Sequence, residues 1–202
     1  MKITAIKQQE KLKDRYSVFV DEKYSFSLSE RALLDSRIAS GQELGKTQLE
    51  AFRQMSSDDK LYGMALRWTA ARLRSEWEIR QYLTRKQTAP ALADEIVGKL
   101  ENLGFVDDAN FARAWVENRR TLKPTSKRKL QMELKSKHIR DDIIQEALWA
   151  SEGDDRTALQ ELIVRKRRQL KYQDDQKLMQ YLARQGFGFD DIKSALSSTL
   201  DS

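Results

Sequence analysis

Acidic side chains offer the clearest candidates for chemistry in this sequence, because aspartate occurs as six adjacent pairs. Paired carboxylates can hold a divalent metal ion or share acid–base work. Here, each pair stands just before a run of residues with helical periodicity. An aspartate in that position caps a helix by accepting its unpaired backbone N–H groups, so we predict capping for all six. The pairs are Asp58–Asp59, Asp107–Asp108, Asp141–Asp142, Asp154–Asp155, Asp174–Asp175 and Asp190–Asp191.

The single histidine, His138, and the absence of cysteine leave no residue set typical of a zinc site. His138 follows Leu134 by four residues and ends a predicted helix, where histidine tolerates a left-handed backbone. We therefore predict a capping or solvent-exposed position for it. Glycine-rich phosphate loops, Ser–His–Asp arrangements and redox motifs are all missing. The sequence thus predicts a binding protein rather than an enzyme, with no metal or cofactor.

Four tryptophans could stack on nucleic-acid bases, which is how exposed aromatic rings often hold single strands. Trp115 shares a helical face with Phe111, so we predict that it belongs to a core. Trp77 falls beside Ile79 rather than on the same face, which makes it the candidate for an exposed or interfacial ring.

Two clusters of basic residues are the strongest binding signal. Between Arg119 and Arg140 there are nine basic residues and one acidic residue, Glu133, and a second cluster runs from Arg165 to Lys171. At related corners of a repeat, the clusters would form a stripe that could follow a phosphate backbone or an acidic filament surface. Solvated helix faces are the alternative. The predicted binding residues are Arg119, Arg120, Lys123, Lys127, Arg128, Lys129, Lys135, Lys137, Arg165, Lys166, Arg167 and Arg168.

Composition agrees with a helical protein that has an acidic partner. The chain has 202 residues, 34% of them charged, with only two prolines and a formal charge of +6. A positive balance makes nucleic acid a natural partner. No run approaches about eighteen apolar residues, and the first ten residues lack an apolar segment, so we predict neither a membrane span nor a signal peptide. We expect a cytoplasmic monomer.

The first residues differ from the rest of the chain. Short apolar runs around Ile3, Val18 and Phe26 alternate with polar residues, as half-buried strands do. We predict a small antiparallel β meander with a turn at residues 21–23. A helix beginning after Ser29 would cover it, because three strands alone leave an apolar face exposed.

The remaining residues repeat with a period of roughly fifty, which is long enough for three short helices. Aspartate pairs recur after 49, 47 and 49 residues, and the leucine and isoleucine pairs that follow Ser75, Ser126 and Asp175 recur after 51 and 48. Periods of this length are typical of helical repeats. The predicted fold is mainly α: an elongated array of tandem three-helix repeats behind the meander. The boundaries are a β-rich segment with a short helix at 1–45, leading helices at 46–74, repeats at 75–123 and 124–172, and a truncated repeat at 173–202 whose third helix is missing or reduced to Leu200.

Helix ends are predicted from capping chemistry. Thr47 with Glu50 and Ser75 with Glu78 match the capping box. The first box starts a helix that ends near Met55, and another helix follows Asp58. Further on, Pro90 suits a first turn, Gly104 a left-handed C-terminal cap, and Ser126 after Pro124 a new helix start. These signals divide the chain into short helices.

Three motifs in the first repeat carry a family resemblance. They are SEWEIRQYLTRK from Ser75, IVGKLENLGFVDD from Ile96 and NFARAW from Asn110. Together they resemble the RecX family of regulatory proteins, and residues 126–196 resemble it more loosely. The resemblance implies tandem three-helix repeats that bind the RecA recombinase filament on DNA and restrain its ATP hydrolysis, strand exchange and damage-response signalling. The β-rich segment is similar to an extension that some members carry.

Two other functions fit the same residues. A DNA-binding protein could dock its three-helix repeats directly on phosphates, and a helical scaffold could hold another acidic protein. DNA is thus expected as a partner either directly or through the filament.

Overall fold

The computed structural model describes residues 1–151 and 154–198. The chain divides into two compact units. Unit 1 comprises residues 1–73 and 79–105, and unit 2 comprises residues 74–78 and 106–202. Within the described residues, no helix combines the length and apolar character needed to cross a membrane.

Unit 1 begins with an antiparallel sheet of three strands, β1 (Ile3–Gln8), β2 (Arg15–Val20) and β3 (Lys23–Ser29), paired in that order. The β2–β3 turn holds Asp21 and Glu22 at φ values of +48° and +65°, as expected for a two-residue hairpin loop that matches the strand twist. One face of the sheet is buried because apolar residues alternate along the strands. The buried residues are Ile3, Val18, Val20, Phe26 and Leu28. The predicted meander is confirmed.

Two helices cover this sheet. Helix α1 (Glu30–Ser36) starts at Ser29, whose hydroxyl accepts the backbone N–H of Ala32, as predicted. Helix α2 (Lys46–Ala70) is a continuous helix of 25 residues, so the prediction of two helices separated near Met55 is wrong. Its N-terminus is closed by the Gln48 side chain, which accepts the N–H of Gly45 at 2.9 Å. Thr47 and Glu50 therefore do not form the predicted capping box.

The pair Asp58–Asp59 lies inside α2 and caps nothing, which corrects the capping prediction for this pair. Asp59 is instead bonded to the sheet. Its carboxylate accepts a hydrogen bond from the Arg15 guanidinium at 2.9 Å, and two more from the N–H and the hydroxyl of Ser29. The side chains of Arg15 and Asp59 are only 6% and 10% exposed. A buried charge needs such pairing. The ion pair ties β2 to the middle of α2, and the two bonds from Ser29 tie the end of β3 to it.

Two further helices complete unit 1. Helix α3 (Glu76–Arg85) has its first turn in unit 2 and the rest in unit 1, and α4 (Pro90–Asn102) follows it. Pro90 is the first residue of α4, and Gly104 after its end has a φ of +73°, as predicted. The Ser75–Glu78 capping box is also confirmed, with bonds of 3.3 and 3.4 Å in its two directions.

Unit 2 contains six helices in its described residues and a short 3-10 turn at Leu170–Tyr172. The helices are α5 (Asp108–Leu122), α6 (Lys127–Lys135), α7 (Asp141–Ala150), α8 (Asp155–Arg167), α9 (Asp175–Arg184) and α10 (Phe189–Ser198). One buried cluster joins α5, α6 and α7, and a second joins α8, α9 and α10. A mainly α chain of tandem three-helix groups behind an antiparallel meander is therefore confirmed. Each group starts one helix earlier than the boundaries drawn from the sequence, and Leu200 lies outside the described residues.

Three of the six aspartate pairs cap helices as predicted. Asp107, Asp154 and Asp174 each accept the backbone N–H three residues ahead. The pairs at 141–142 and 190–191 lie within the first turns of α7 and α10 rather than at the cap, where their charge is still favourable against the helix macrodipole. His138 has a φ of +58° after α6, which confirms its predicted corner position.

The second aspartate of two pairs makes a contact that repeats along the chain. Asp108 at the start of α5 accepts the backbone N–H of Glu76, the first residue of α3, at 2.8 Å. Asp155 at the start of α8 accepts the backbone N–H of Lys127, the first residue of α6, at 2.9 Å. We call this contact the aspartate joint. Each joint satisfies one N–H that an isolated helix would leave unpaired.

Candidate polyanion-binding site

The twelve basic residues predicted to bind a partner all lie in unit 2, on α5, α6, α8 and the turns that follow them. Five of them occupy the last turns of α5 and α8, where positive charge is favourable against the helix macrodipole. These five are Arg119, Arg120, Arg165, Lys166 and Arg167. Part of the clustering therefore serves the helices themselves.

The indole of Trp115 organises two of the twelve cations. Its Nε1 donates to the Glu133 carboxylate at 2.9 Å, and Arg119 Nε donates to the same oxygen at 2.9 Å. Arg119 also lies 4.9 Å from the indole centroid, and Lys137 lies 5.6 Å from it while pairing with Glu78 at 2.8 Å. Trp115 packs half-buried against the α5–α7 cluster, so its predicted core position is confirmed. Arg119 and Lys137 thus serve the fold.

Two other predicted cations also have structural partners, and a third is half-buried. Lys135 pairs with Asp141 at 2.9 Å. Arg167 pairs with Asp175 and donates to the carbonyl of Gln173 at 2.7 Å, which closes the turn between α8 and α9. Arg120 is half-buried and lines a cavity of about 440 Å³. Breaking these contacts would offset part of any gain from binding a partner.

The structure brings members of both clusters together at one place, which we call the cationic corner: Lys123, Lys129, Arg165 and Lys166. Arg165 Nη1 donates to the Leu122 carbonyl at 2.9 Å, so the end of α8 touches the end of α5. Lys166 Nζ lies 4.7 Å from the ring of Tyr181 and 5.3 Å from that of Tyr172. Lys129 Nζ donates to the Gln185 side chain at 2.8 Å.

The pKa values of Lys129 and Tyr181 respond to the neighbouring positive charges. The pKa of Lys129 is lowered, chiefly by burial and then by the positive charge of Lys123, although Glu133 opposes the shift. The pKa of Tyr181 is raised by burial, while Lys123 and Arg165 act in the opposite direction. Like charges this close disfavour one another, so an anion bound here would relieve their repulsion.

Four predicted cations are exposed and make no ion pair within the part of the chain that the structure describes. They are Lys123, Lys127, Arg128 and Arg168. These residues can contact an anion without losing an existing partner. The first cluster is nevertheless split, because Lys135 and Lys137 lie at the far end of α6, about 12 Å along the helix from Lys127 at 1.5 Å per residue.

Trp149 is the aromatic residue that sequence reasoning did not single out. Its side chain is 91% exposed at the end of α7, and with Lys127 and Arg128 it lines a groove of about 590 Å³. Helical spacing could have identified it, because it follows Leu148 and so falls outside the buried face of α7. Trp77, the candidate for an exposed or interfacial ring, is half-buried and stacks on His138 with 4.5 Å between the ring centroids.

The described residues place no three His, Cys, Asp or Glu side chains where they could hold a metal ion. The chemistry that the exposed side chains of this region offer is positive charge, hydrogen-bond donors and one open indole. Such a surface can bind phosphate groups or an acidic protein.

Comparison with known proteins covers nearly the whole chain. Four family models match: "Regulatory protein RecX N-terminal domain" over residues 1–45, and the first, second and third three-helix domains of RecX over residues 62–100, 107–148 and 154–196. The matches to the second and third three-helix domains coincide with the α5–α7 and α8–α10 groups.

Individual relatives agree. The regulatory protein RecX of Listeria monocytogenes is 32% identical over 202 residues, covering 96% of this chain and 74% of the relative. That of Bacillus velezensis is 32% identical, covering 98% and 77%. A crystal structure of regulatory protein RecX has a TM-score of 0.74 at 25% identity, covering 97% of this chain and 98% of the other. RecX from Lactobacillus salivarius shares the fold, with a TM-score of 0.58 over 70% of this chain and 95% of the other at 22% identity. This chain therefore belongs to the RecX family of regulatory proteins.

Proposed function

We propose that this protein binds the RecA recombinase filament on DNA and restrains its ATP hydrolysis, its strand exchange and its damage-response signalling. Family membership supports the choice of partner. The observation that carries the site is the cationic corner, where two clusters that are distant in the sequence converge beside exposed cations. The protein acts by binding, and the chemistry that it restrains belongs to the partner.

The mode of binding follows from the repeated three-helix groups. Charge attraction raises the rate of encounter with a negatively charged filament and weakens as salt rises. Several weak contacts on one chain act together, because the first contact raises the effective concentration of the others. The exposed cations Lys123, Lys127, Arg128 and Arg168 supply contacts that cost no internal ion pair, so they form the primary binding surface in this proposal.

The test measures DNA-dependent ATP hydrolysis by RecA with increasing amounts of the protein. We expect the wild type to slow hydrolysis and to change the filament lifetime. Replacing the four exposed cations by glutamine should raise the protein concentration needed for half-maximal inhibition at least tenfold. Removing four paired cations instead would confound binding with folding, which is why Arg119 and Lys137 are left intact.

The matched control removes the same charge from exposed positions of unit 1. Its substitutions are Lys11→Gln, Lys13→Gln, Arg31→Gln and Lys46→Gln. If the control variant loses as much inhibition as the first variant, bulk charge explains the effect and the site assignment fails. If saturating wild-type protein leaves both turnover and filament lifetime unchanged, the proposed function itself fails.

Direct DNA binding is the second candidate, and Trp149 favours it. An exposed aromatic ring beside Lys127 and Arg128 is the combination that holds single strands by stacking and charge. This candidate predicts tight binding to naked single-stranded DNA that Trp149→Ala weakens. Weak binding to naked DNA together with tight binding to the filament would instead favour the first proposal.

A further inference from the structure

Unit 1 contains a groove of about 530 Å³ where α2 packs against β3. Its volume lies within the range of roughly 300 to 1,000 Å³ that is usual for ligand sites. The groove lies wholly within unit 1, whereas the cationic corner lies in unit 2. The side chains that line it require a separate explanation.

Three cations line the groove at intervals of seven residues on α2: Arg53, Lys60 and Arg67. Seven residues are close to two helical turns, so the three share one face and follow one another about 10 Å apart. All three are exposed. The Arg53 Nη2 lies 3.3 Å from the Ser25 hydroxyl, and the Arg67 guanidinium lies over Gly63. A row of cations thus lies along one wall of the groove.

The charged side chains that line the groove are all cations. Among the described residues that line it there is no aspartate or glutamate, although the chain is rich in both. The charge of the lining residue Arg15 is already neutralised by Asp59. The three cations on α2 therefore give the groove its net positive charge. Serine hydroxyls at Ser25 and Ser57 add hydrogen-bond donors. These features suit a ligand that carries several negative charges.

The edge of β3 is closed to an added peptide strand at this point. The hydroxyl of Ser56 accepts the N–H of Ser27 at 3.2 Å and donates to its carbonyl at 2.6 Å. An extended peptide that binds a sheet edge needs these backbone groups free. The structure therefore disfavours an acidic peptide in β-strand form.

An aromatic ring completes the groove. The Tyr24 side chain is 60% exposed, and the Phe19 ring packs against it at 6.2 Å with an interplanar angle of 81°. This arrangement supports the ring while leaving much of it open. A cationic groove with an open aromatic ring is how single strands are held: phosphates meet the cations and a base stacks on the ring.

We propose that this groove binds a segment of single-stranded nucleic acid, with its phosphates along Arg53, Lys60 and Arg67 and a base against Tyr24. The site is additional to the cationic corner and does not depend on it. It gives the sheet-containing part of the chain a binding role of its own.

The first experiment measures binding of the full chain to a fluorescein-labelled oligothymidylate of 20 nucleotides at several salt concentrations. For single strands, the slope of log affinity against log salt concentration has a magnitude of about 0.7 for each phosphate contact. The triple variant Arg53→Gln/Lys60→Gln/Arg67→Gln removes three contacts, so it should reduce the magnitude of the slope by about 2. The control Arg31→Gln/Lys46→Gln/Lys86→Gln removes the same charge from exposed positions outside the groove and should leave the slope unchanged. Equal slopes for the wild type and the groove variant would overturn the proposal.

The second experiment locates the strand. An oligothymidylate carrying 5-iododeoxyuridine is cross-linked by ultraviolet light, and the modified peptide is identified by mass spectrometry. We expect a cross-link at Tyr24 that persists when Lys123, Lys127, Arg128 and Arg168 are replaced by glutamine, which separates this site from the primary binding surface. Tyr24→Ala should lower the affinity by about 5- to 100-fold and Tyr24→Phe should retain it. Cross-links confined to unit 2, or tighter binding of polyglutamate than of the oligonucleotide, would refute the assignment.

Discussion

Replacing Gly186 with alanine should destabilise unit 2 through two separable effects. Gly186 lies after α9 with a φ of +88°. An added Cβ would stand 2.4 Å from the Ser126 hydroxyl and 3.2 Å from the Lys129 backbone nitrogen. Ser126 is fully buried, and its hydroxyl donates to the Gln185 carbonyl at 2.8 Å. The new methyl group therefore meets a side chain that cannot move without losing a buried hydrogen bond.

The size of the loss follows from these contacts. A non-glycine residue in the left-handed region costs about 1 to 2 kcal/mol. Forcing a methyl group into a packed site costs about 1 to 3 kcal/mol more. We therefore expect Gly186→Ala to lower the free energy of unfolding by about 2 to 5 kcal/mol. Gly104→Ala is the matched control, because Gly104 has a similar φ of +73° but nothing within 4 Å of the added Cβ, so its loss should stay at about 1 to 2 kcal/mol.

Hydrogen exchange of backbone amides gives the local free energy of opening for each variant. The relevant amides are those of α6 and α9 for Gly186→Ala and those of α4 for Gly104→Ala. A double variant, Ser126→Ala/Gly186→Ala, adds a further test. Because removing the hydroxyl relieves the closest contact, the double variant should lose about 1 kcal/mol less stability than the sum of the two single variants. Equal losses for the two glycine variants, or strict additivity with Ser126→Ala, would refute the reasoning.

Three further predictions concern stability. Asp59→Ala should lower the free energy of opening, measured by hydrogen exchange of the β2 and β3 amides, by about 3 to 5 kcal/mol, because it leaves Arg15 buried without its ion-pair partner. The neighbouring Asp58→Ala should lower it by under about 1 kcal/mol. Equal losses for the two variants would contradict this. The pKa of Asp154 is held below its ordinary value of 3.8 by hydrogen bonds from Thr157, so its stabilisation of α8 is full above that value and is lost as pH falls through the lower, folded-state pKa. Asp154→Asn should abolish this part of the acid dependence of α8 exchange, since asparagine caps without titrating. Trp115→Ala should lower the free energy of unfolding, measured by thermal denaturation, by about 3 kcal/mol, because it removes packing and a hydrogen-bond donor to Glu133. A loss under about 1 kcal/mol would be inconsistent with the position of Trp115.

Local chemistry explains which parts of the fold could be predicted from the sequence. Ser126 after Pro124, Gly104 and His138 act on their own turns, so their capping or left-handed positions follow from residue type and spacing alone. The meander was predictable for the same reason, since alternation along a strand is a local pattern.

Partners far apart in the sequence explain what could not be predicted. Asp59 resembles a helix cap locally, but its partner Arg15 lies 44 residues away. Lys137 resembles a free cation, but Glu78, 59 residues away, pairs with it. The same limit applies to the site, because nothing local shows that Lys123 and Arg165 both lie near Tyr181. The binding roles of the twelve cations stay predictions, although their positions are now defined.

The aspartate joint bears on how such a chain can diverge. The donor in each joint is a backbone N–H, which every residue except proline supplies, so Glu76 and Lys127 can occupy equivalent places despite opposite charges. Only the acceptor, Asp108 or Asp155, has to keep its chemistry. The joint can therefore tolerate almost any residue at the donor position, provided that the carboxylate of each copy is retained.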